Sequence, residues 1–178
     1  MIKKRVIKVV PYDNKWALEF ENESKRIRNI LGEEIISIHH IGSTAITGIS
    51  AKPVIDILVE VKDIGDVDKY NGDIEGLGYE AMGEYGIKGR RFFLKGRYDR
   101  THHIHIFQTE NPEIKRHILF RDYMVSHPED GKRYSQLKQE LAERFTHDIE
   151  GYANGKYSFI KEIDEKAELW FQNSLLER

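Results

Sequence analysis

Two runs rich in β-branched residues, Ile35–Ile41 and Val54–Val61, lie close together and limit what this chain can become. Each reads as a strand. Gly42-Ser43 follows the first run at once, and Asp56 sits inside the second, with 12 residues between Ser43 and Asp56. That interval holds a short helix and a turn closed by Lys52-Pro53, and it brings the chain back to a neighbouring strand. Alternation along the second run puts Ile55, Ile57, Val59 and Val61 on one face and Asp56, Leu58 and Glu60 on the other. A carboxylate on a strand between apolar residues is costly to bury without a partner, so Asp56 needs an arginine or a cation.

A strand that ends in Gly-Ser and turns into a short helix offers backbone N–H groups and a hydroxyl to an anion, because the first amides of a helix have no partner inside it. Gly42, Ser43 and Thr44 are therefore candidate phosphate-binding residues. Asp56 on the adjacent strand is positioned to face the same anion, and a hard cation between them accounts for its charge. The competing reading pairs Asp56 with Arg90, Arg91 or Arg121 as a structural ion pair.

The remaining elements surround this pair. Asp13 reads as the N-cap of a helix reaching about Leu31, with Gly32 as its stop. A short helix is expected between Gly65 and Gly78, and strands over Tyr79–Glu84, Gly89–Lys95 and Thr101–Gln108. Asn111-Pro112-Glu113 supplies an N-cap, a proline at the first helical position and an acid in the first turn. Three helices are expected near 112–126, 130–148 and 155–177. The last carries Phe159, Ile163, Ala167, Trp170 and Phe171 as a core-facing stripe. Phe92, Phe93 and Trp16 are also assigned to the core. The order predicts one α+β domain over residues 1–178: a mixed sheet of four to five strands, an N-terminal helix and a helical C-terminal third.

A chain of 178 residues buries roughly two thirds of its unfolded surface and owns a real core. With 28 Lys+Arg against 30 Asp+Glu the net charge is -2, which argues against nucleic acid held by a general electrostatic field. The absence of cysteine excludes thiolate chemistry and cysteine metal sites. The basic start MIKKRVIKVV has only a very short apolar run, and no stretch approaches the roughly 18 residues of a membrane span, so a soluble, cytoplasmic protein is expected.

The Gly-Ser, spacer, Asp pattern resembles the nucleotidyltransferase superfamily that includes DNA polymerase β and small antibiotic-modifying enzymes. More closely, HIGSTAITGISAKPVIDI, RRFF, THHIHIF, LFRDYMVSHPE, YSQLKQELA and YANGKYSFI resemble the GrpB family, a branch of that superfamily, from about Val10 to about Phe171. The resemblance implies a small mixed sheet, Gly42 and Ser43 at a phosphate-gripping turn, Asp56 as metal ligand and catalytic residue beside Ser43, and a nucleoside triphosphate and a small-molecule acceptor as substrates. It also implies a triphosphate contact from the helical part, for which Lys156 is chosen. Lys52, Arg91 and Arg121 are further substrate-binding candidates, with Arg90, Arg91 and Lys95 equally readable as the charged guard of an edge strand.

The sequence departs from the superfamily in one respect. An Asp-x-Asp or Asp-x-Glu pair is expected on the second strand, but Leu58 and Val54 flank Asp56 at that spacing. Glu60 shares its face but lies about 13 Å away at about 3.3 Å per residue, whereas paired metals sit roughly 3.5–4 Å apart. Histidines are the replacement candidates: His40, His103 and His105 are assigned as metal ligands with Asp56. His103 and His105 alternate on one strand face with Cα atoms about 7 Å apart. Imidazole with one carboxylate favours zinc, manganese or iron over magnesium, and the ion stays open among divalent metals. HIHIF also resembles part of the histidine-triad nucleotide hydrolase motif, but Phe107 stands where the third histidine belongs. A degenerate nucleotide- or phosphometabolite-binding module, or a histidine-metal phosphohydrolase, are the alternatives to nucleotidyl transfer.

Overall fold

The computed structural model describes residues 5–177; Met1–Lys4 of the basic start, and Arg178, lie outside the described residues. Helix α1 (Lys15–Leu31) begins where the carboxylate of Asp13 accepts the Lys15 N–H at 2.9 Å. A 3-10 turn (Gly32–Glu34) leads to β1 (Ile35–Ile41), and a second one (Ser43–Ala45) starts the connection to β2 (Ile55–Val61). A third (Asp66–Tyr70) precedes α2 (Asn71–Gly76). Then come β3 (Tyr79–Ala81), β4 (Arg90–Lys95) and β5 (His102–Gln108), and helices α3 (Pro112–Ser126), α4 (Pro128–Arg144) and α5 (Ile149–Leu176).

The five strands form one sheet in the order β1-β2-β5-β4-β3. β2 and β5 run parallel, and every other neighbouring pair is antiparallel. This makes the sheet mixed, as expected, with the parallel pair at its centre. β4 lies between β5 and β3, so its arginines do not guard an edge.

Alternation divides the sheet into two faces with different cover. Ile55, Ile57, Val59 and Val61 join Phe93, Ile104 and Ile106 beneath Trp16, Ile27 and Leu31 of α1 and Ile74 of α2. On the opposite face Leu58, Phe107 and Ile41 meet Ile114 of α3. The C-terminal helices hold a further core of Tyr123, Met124, Tyr134, Phe159, Ile163 and Ala167, into which Ile46 and Ile49 of the β1–β2 connection insert. These two isoleucines pin the segment between Ser43 and Asp56 to the helical third.

Two helix starts differ from expectation for physical reasons. α4 begins at Pro128, the same proline-at-first-turn arrangement as Pro112. α5 begins at Ile149 instead of 155 because the side chain of Asp148 accepts the Gly151 N–H at 2.9 Å. Gly155 inside this helix gives room, since a Cβ there would overlap Leu141 of α4. β3 stops at Ala81, shorter than expected, with Gly83 at φ 61° just beyond it.

Candidate functional site

β1 ends at Ile41, which pairs with Asp56, so the first residue past the strand lies beside the carboxylate. Gly42 takes φ 72° and ψ -173°, a conformation that a side chain resists. A Cβ there would lie 2.7 Å from Asp56 Oδ2. The turn is closed by Ala45 N–H to the Gly42 carbonyl and Ile46 N–H to that of Ser43, both at 3.1 Å. The Ser43 and Thr44 amides thus stand at the start of the turn, where no partner exists within it. Thr44 is buried; its hydroxyl donates to the Val54 carbonyl at 3.4 Å and meets His40 Nε2 at 2.9 Å, so it braces the turn.

Asp56 faces two imidazoles across the parallel pair. Its Oδ1 lies 3.0 Å from His105 Nε2 and 3.4 Å from His103 Nδ1. Burial pushes this carboxyl up, but the two imidazoles outweigh it and hold the group far below the usual carboxylate range. His105 has a fixed tautomer when neutral. Arg90 Nη1, always a donor, meets its Nδ1 at 3.3 Å, so the proton resides on Nε2 and points at Asp56. His103 Nε2 is buried and makes no hydrogen bond among the described residues. The ring of Phe92 packs against both, at 5.3 and 5.1 Å between centroids.

Ligand atoms of Asp56, His103 and His105 lie within 4.8 Å of one another. The donor set of two imidazoles and one carboxylate, with a further ring nitrogen left unpartnered, fits a transition-metal ion better than magnesium or calcium. For His105 to ligate through Nε2, its proton must move to Nδ1, and Arg90 must release that atom.

A cavity of about 390 Å³ opens in front of this group and contains Gly42, Ser43 and Asp56 on its floor. Its wall comes from the helical third. Tyr134 of α4 lines the cavity with Ser43, and burial raises its hydroxyl to about 12. Lys52 and Lys156 sit over the Tyr152 ring at 4.9 and 4.6 Å, and Lys138 lies over Tyr134 at 4.3 Å with its ammonium on the Ser50 carbonyl. Burial, and then the neighbouring lysines, pull Lys138 down to about 7 and Lys156 to about 8. The Tyr152 hydroxyl is buried and unpartnered among the described residues. Arg116 and His117 complete the rim, with burial lowering His117 to about 4. The arrangement can grip a polyanion: three ammonium groups face a carboxylate-imidazole centre and a Gly-Ser turn.

Sequence reasoning missed Lys138, Tyr134, Arg116 and His117. Tyr134 and Lys138 are four apart in YSQLKQELA and so share a helix face, but that spacing alone does not say whether the face turns inward.

Three expected site residues lie elsewhere. His40 pairs with Ile57, so it projects to the α1 face, where it stacks on Phe20 at 4.9 Å; it is not in the metal-capable group. Arg91 pairs with Ile106, which again sets it on the α1 face, and it forks onto Asp68 at 2.6 and 3.1 Å. Arg121 holds the His40 carbonyl at 3.0 Å and Asp122 at 2.8 Å, supporting β1 from behind the turn. Among the described residues none of Arg90, Arg91 and Arg121 pairs with Asp56: Arg90 reaches it only through His105. Leu58, where a second acid was sought, is fully buried, and Glu60 is taken by Ser37 and Thr109, each at 2.7 Å.

A mixed sheet with a Gly-Ser turn and an acid on the next strand defines a nucleotidyltransferase-like fold. In keeping with this, the chain is similar to the Cid1 poly(U) polymerase, with a TM-score of 0.50 and 10% identity over 75% of this chain and 43% of that one. The profile of the GrpB protein family matches residues 6–166, and the chain belongs to the GrpB family. It is 41% identical to the crystal structure of the conserved protein GrpB from Enterococcus faecalis, at a TM-score of 0.88 over 92% of this chain and 99% of that one. It is 45% identical over 167 residues to the UPF0157 protein YqkA of Bacillus subtilis (strain 168), covering 94% of this chain and 49% of YqkA. The chain thus spans about half the length of that relative. Among the described residues, no helix is long and apolar enough to cross a membrane.

Proposed function

We propose that this chain transfers a nucleotidyl group from a nucleoside triphosphate to a small acceptor. The observation that supports this most is the convergence of the Gly42-Ser43 turn, Asp56 and three lysines on one cavity. In this reading the Ser43 hydroxyl and the turn amides hold the β- and γ-phosphates, and Lys52, Lys138 and Lys156 neutralise the leaving pyrophosphate. Thr44 acts by bracing the turn. Asp56, His103 and His105 would hold a divalent ion, zinc, manganese or iron before magnesium. When bound, such an ion supplies Lewis-acid polarisation of a phosphoryl oxygen. The acceptor hydroxyl oxygen bonds to the α-phosphorus, the bond to the β-phosphate bridge breaks, and the hydroxyl proton passes to solvent.

The test is pyrophosphate release from each nucleoside triphosphate, with manganese, zinc, iron or magnesium and a panel of hydroxyl acceptors. Absence of release under every combination refutes transfer.

The buried Leu58 at the position of the second acid favours a second reading, a nucleotide- or phosphometabolite-binding module without turnover. Calorimetry distinguishes it: micromolar nucleotide binding with no pyrophosphate released.

A further inference from the structure

A second basic cleft adjoins the candidate site. Its cavity, about 380 Å³, is lined by Arg5, Lys8, Lys52, Tyr98, Asp99 and Arg100, and Lys52 and Val54 also line the first cavity. Lys52 therefore stands as a shared wall between the two.

Local structure fixes the cations there. Ile7 is buried against Leu141 and Tyr152, and its N–H donates to the Thr146 carbonyl at 2.8 Å, which lays Arg5 beside Lys52-Pro53. From the other side, the β4–β5 loop is closed by Thr101 N–H on the Lys95 carbonyl at 3.0 Å, which presents Arg100. Arg100 Nε is buried and has no hydrogen-bond partner among the described residues. Four cations thus surround a cleft in which Asp99, itself engaged, is the only carboxylate among the lining residues. The cations oppose one another: burial and then Arg100 lower Arg5, and burial and then Arg5 lower Lys52 against the pull of Asp56.

A guanidinium whose Nε has no partner among the described residues, beside a second guanidinium and an ammonium, is matched by a compact dianion, since the planar fork binds tetrahedral oxyanions in bidentate fashion. We propose that Arg5 and Arg100 bind the phosphate of a small phosphomonoester, which is the acceptor of the transferred group, with Lys52 as the wall between it and the triphosphate. The word acceptor rests on the function proposed above; the phosphate site does not. A net charge of -2 gives no wider basic field that would prefer nucleic acid.

The test uses the full chain saturated with manganese and a non-hydrolysable triphosphate, titrated calorimetrically with glycerol 3-phosphate, inorganic phosphate or glycerol. Glycerol 3-phosphate is expected to bind beside the triphosphate and glycerol is not. The Arg5→Gln, Arg100→Gln double variant is expected to lose at least tenfold in that affinity with triphosphate affinity unchanged. Arg5→Gln alone, at a half-buried position near the chain start, is expected to give a smaller loss and guards against misfolding of the double variant. Competition between ester and triphosphate, binding of inorganic phosphate but not the ester, or unchanged affinity in both variants overturns the proposal. If triphosphate does not bind at all but the ester binds and is lost in the variants, the nucleotidyl reading fails and this phosphate site stands.

Discussion

Gly42 and Asp56 approach so closely that a methyl group on one would collide with the carboxylate of the other, at 2.7 Å from Oδ2. The glycine is thus required twice, by its φ of 72° and by the space it leaves. A positive φ costs a side chain about 1–2 kcal/mol. Gly42→Ala is expected to destabilise the fold by about 2 kcal/mol or more, as Asp56 is forced aside. It is also expected to abolish stabilisation by manganese or zinc. Denaturant melts with and without metal measure both, and a variant of unchanged stability and metal response contradicts the close approach.

Asp56→Asn separates the carboxylate from its geometry. The folded carboxyl lies far below its ordinary value near 3.8, so its contribution is present above that value and is lost as pH falls through and below it. At pH 7 the variant is expected to lose about 1–3 kcal/mol, as for hydrogen bonds to a charged group. The gap to the parent should narrow below about pH 4. The metal-induced gain, about 2.7 kcal/mol for the parent at a hundredfold excess over Kd, should vanish. Melts across pH 3–8 with and without metal decide it.

The parts of this site that were legible in the sequence are local. Strand alternation placed Leu58 and Glu60 with Asp56, and His103 with His105, because a period of two needs no knowledge of partners. His40 and Arg91 went to the wrong face because their side depends on register: the pairs His40 with Ile57 and Arg91 with Ile106 are set by neighbouring strands. Lys138 was invisible for a related reason. Nothing in YSQLKQELA distinguishes a solvated lysine from one that helix packing turns inward onto Ser50.

Arg91→Ala tests that correction. The pair with Asp68 is partly exposed, so its loss is expected to cost no more than about 1 kcal/mol. Triphosphate affinity should remain unchanged, because the side chain leaves the sheet on the α1 side. A tenfold loss of triphosphate affinity by calorimetry would return Arg91 to the site.

The lysine wall makes binding and stability depend on pH in a stated direction. Lys138 titrates near 7 and Lys156 near 8 in the folded chain, against 10.5 ordinarily. Between those values the unfolded chain holds more protons than the folded one, so this pair makes stability rise with pH across that window; below about 7 the cost of burying both ammonium groups is fully present. An incoming polyphosphate restores the ammonium form. Binding at pH 8.5 should therefore take up protons, and affinity should fall as pH climbs above 8. Calorimetry of pyrophosphate binding in two buffers of different ionisation enthalpy measures the uptake directly. Lys138→Met is expected to remove part of that uptake, weaken pyrophosphate binding at least tenfold and leave the unliganded fold as stable or more so below pH 7. That last outcome follows because methionine keeps the packing on Tyr134 and discards the buried charge.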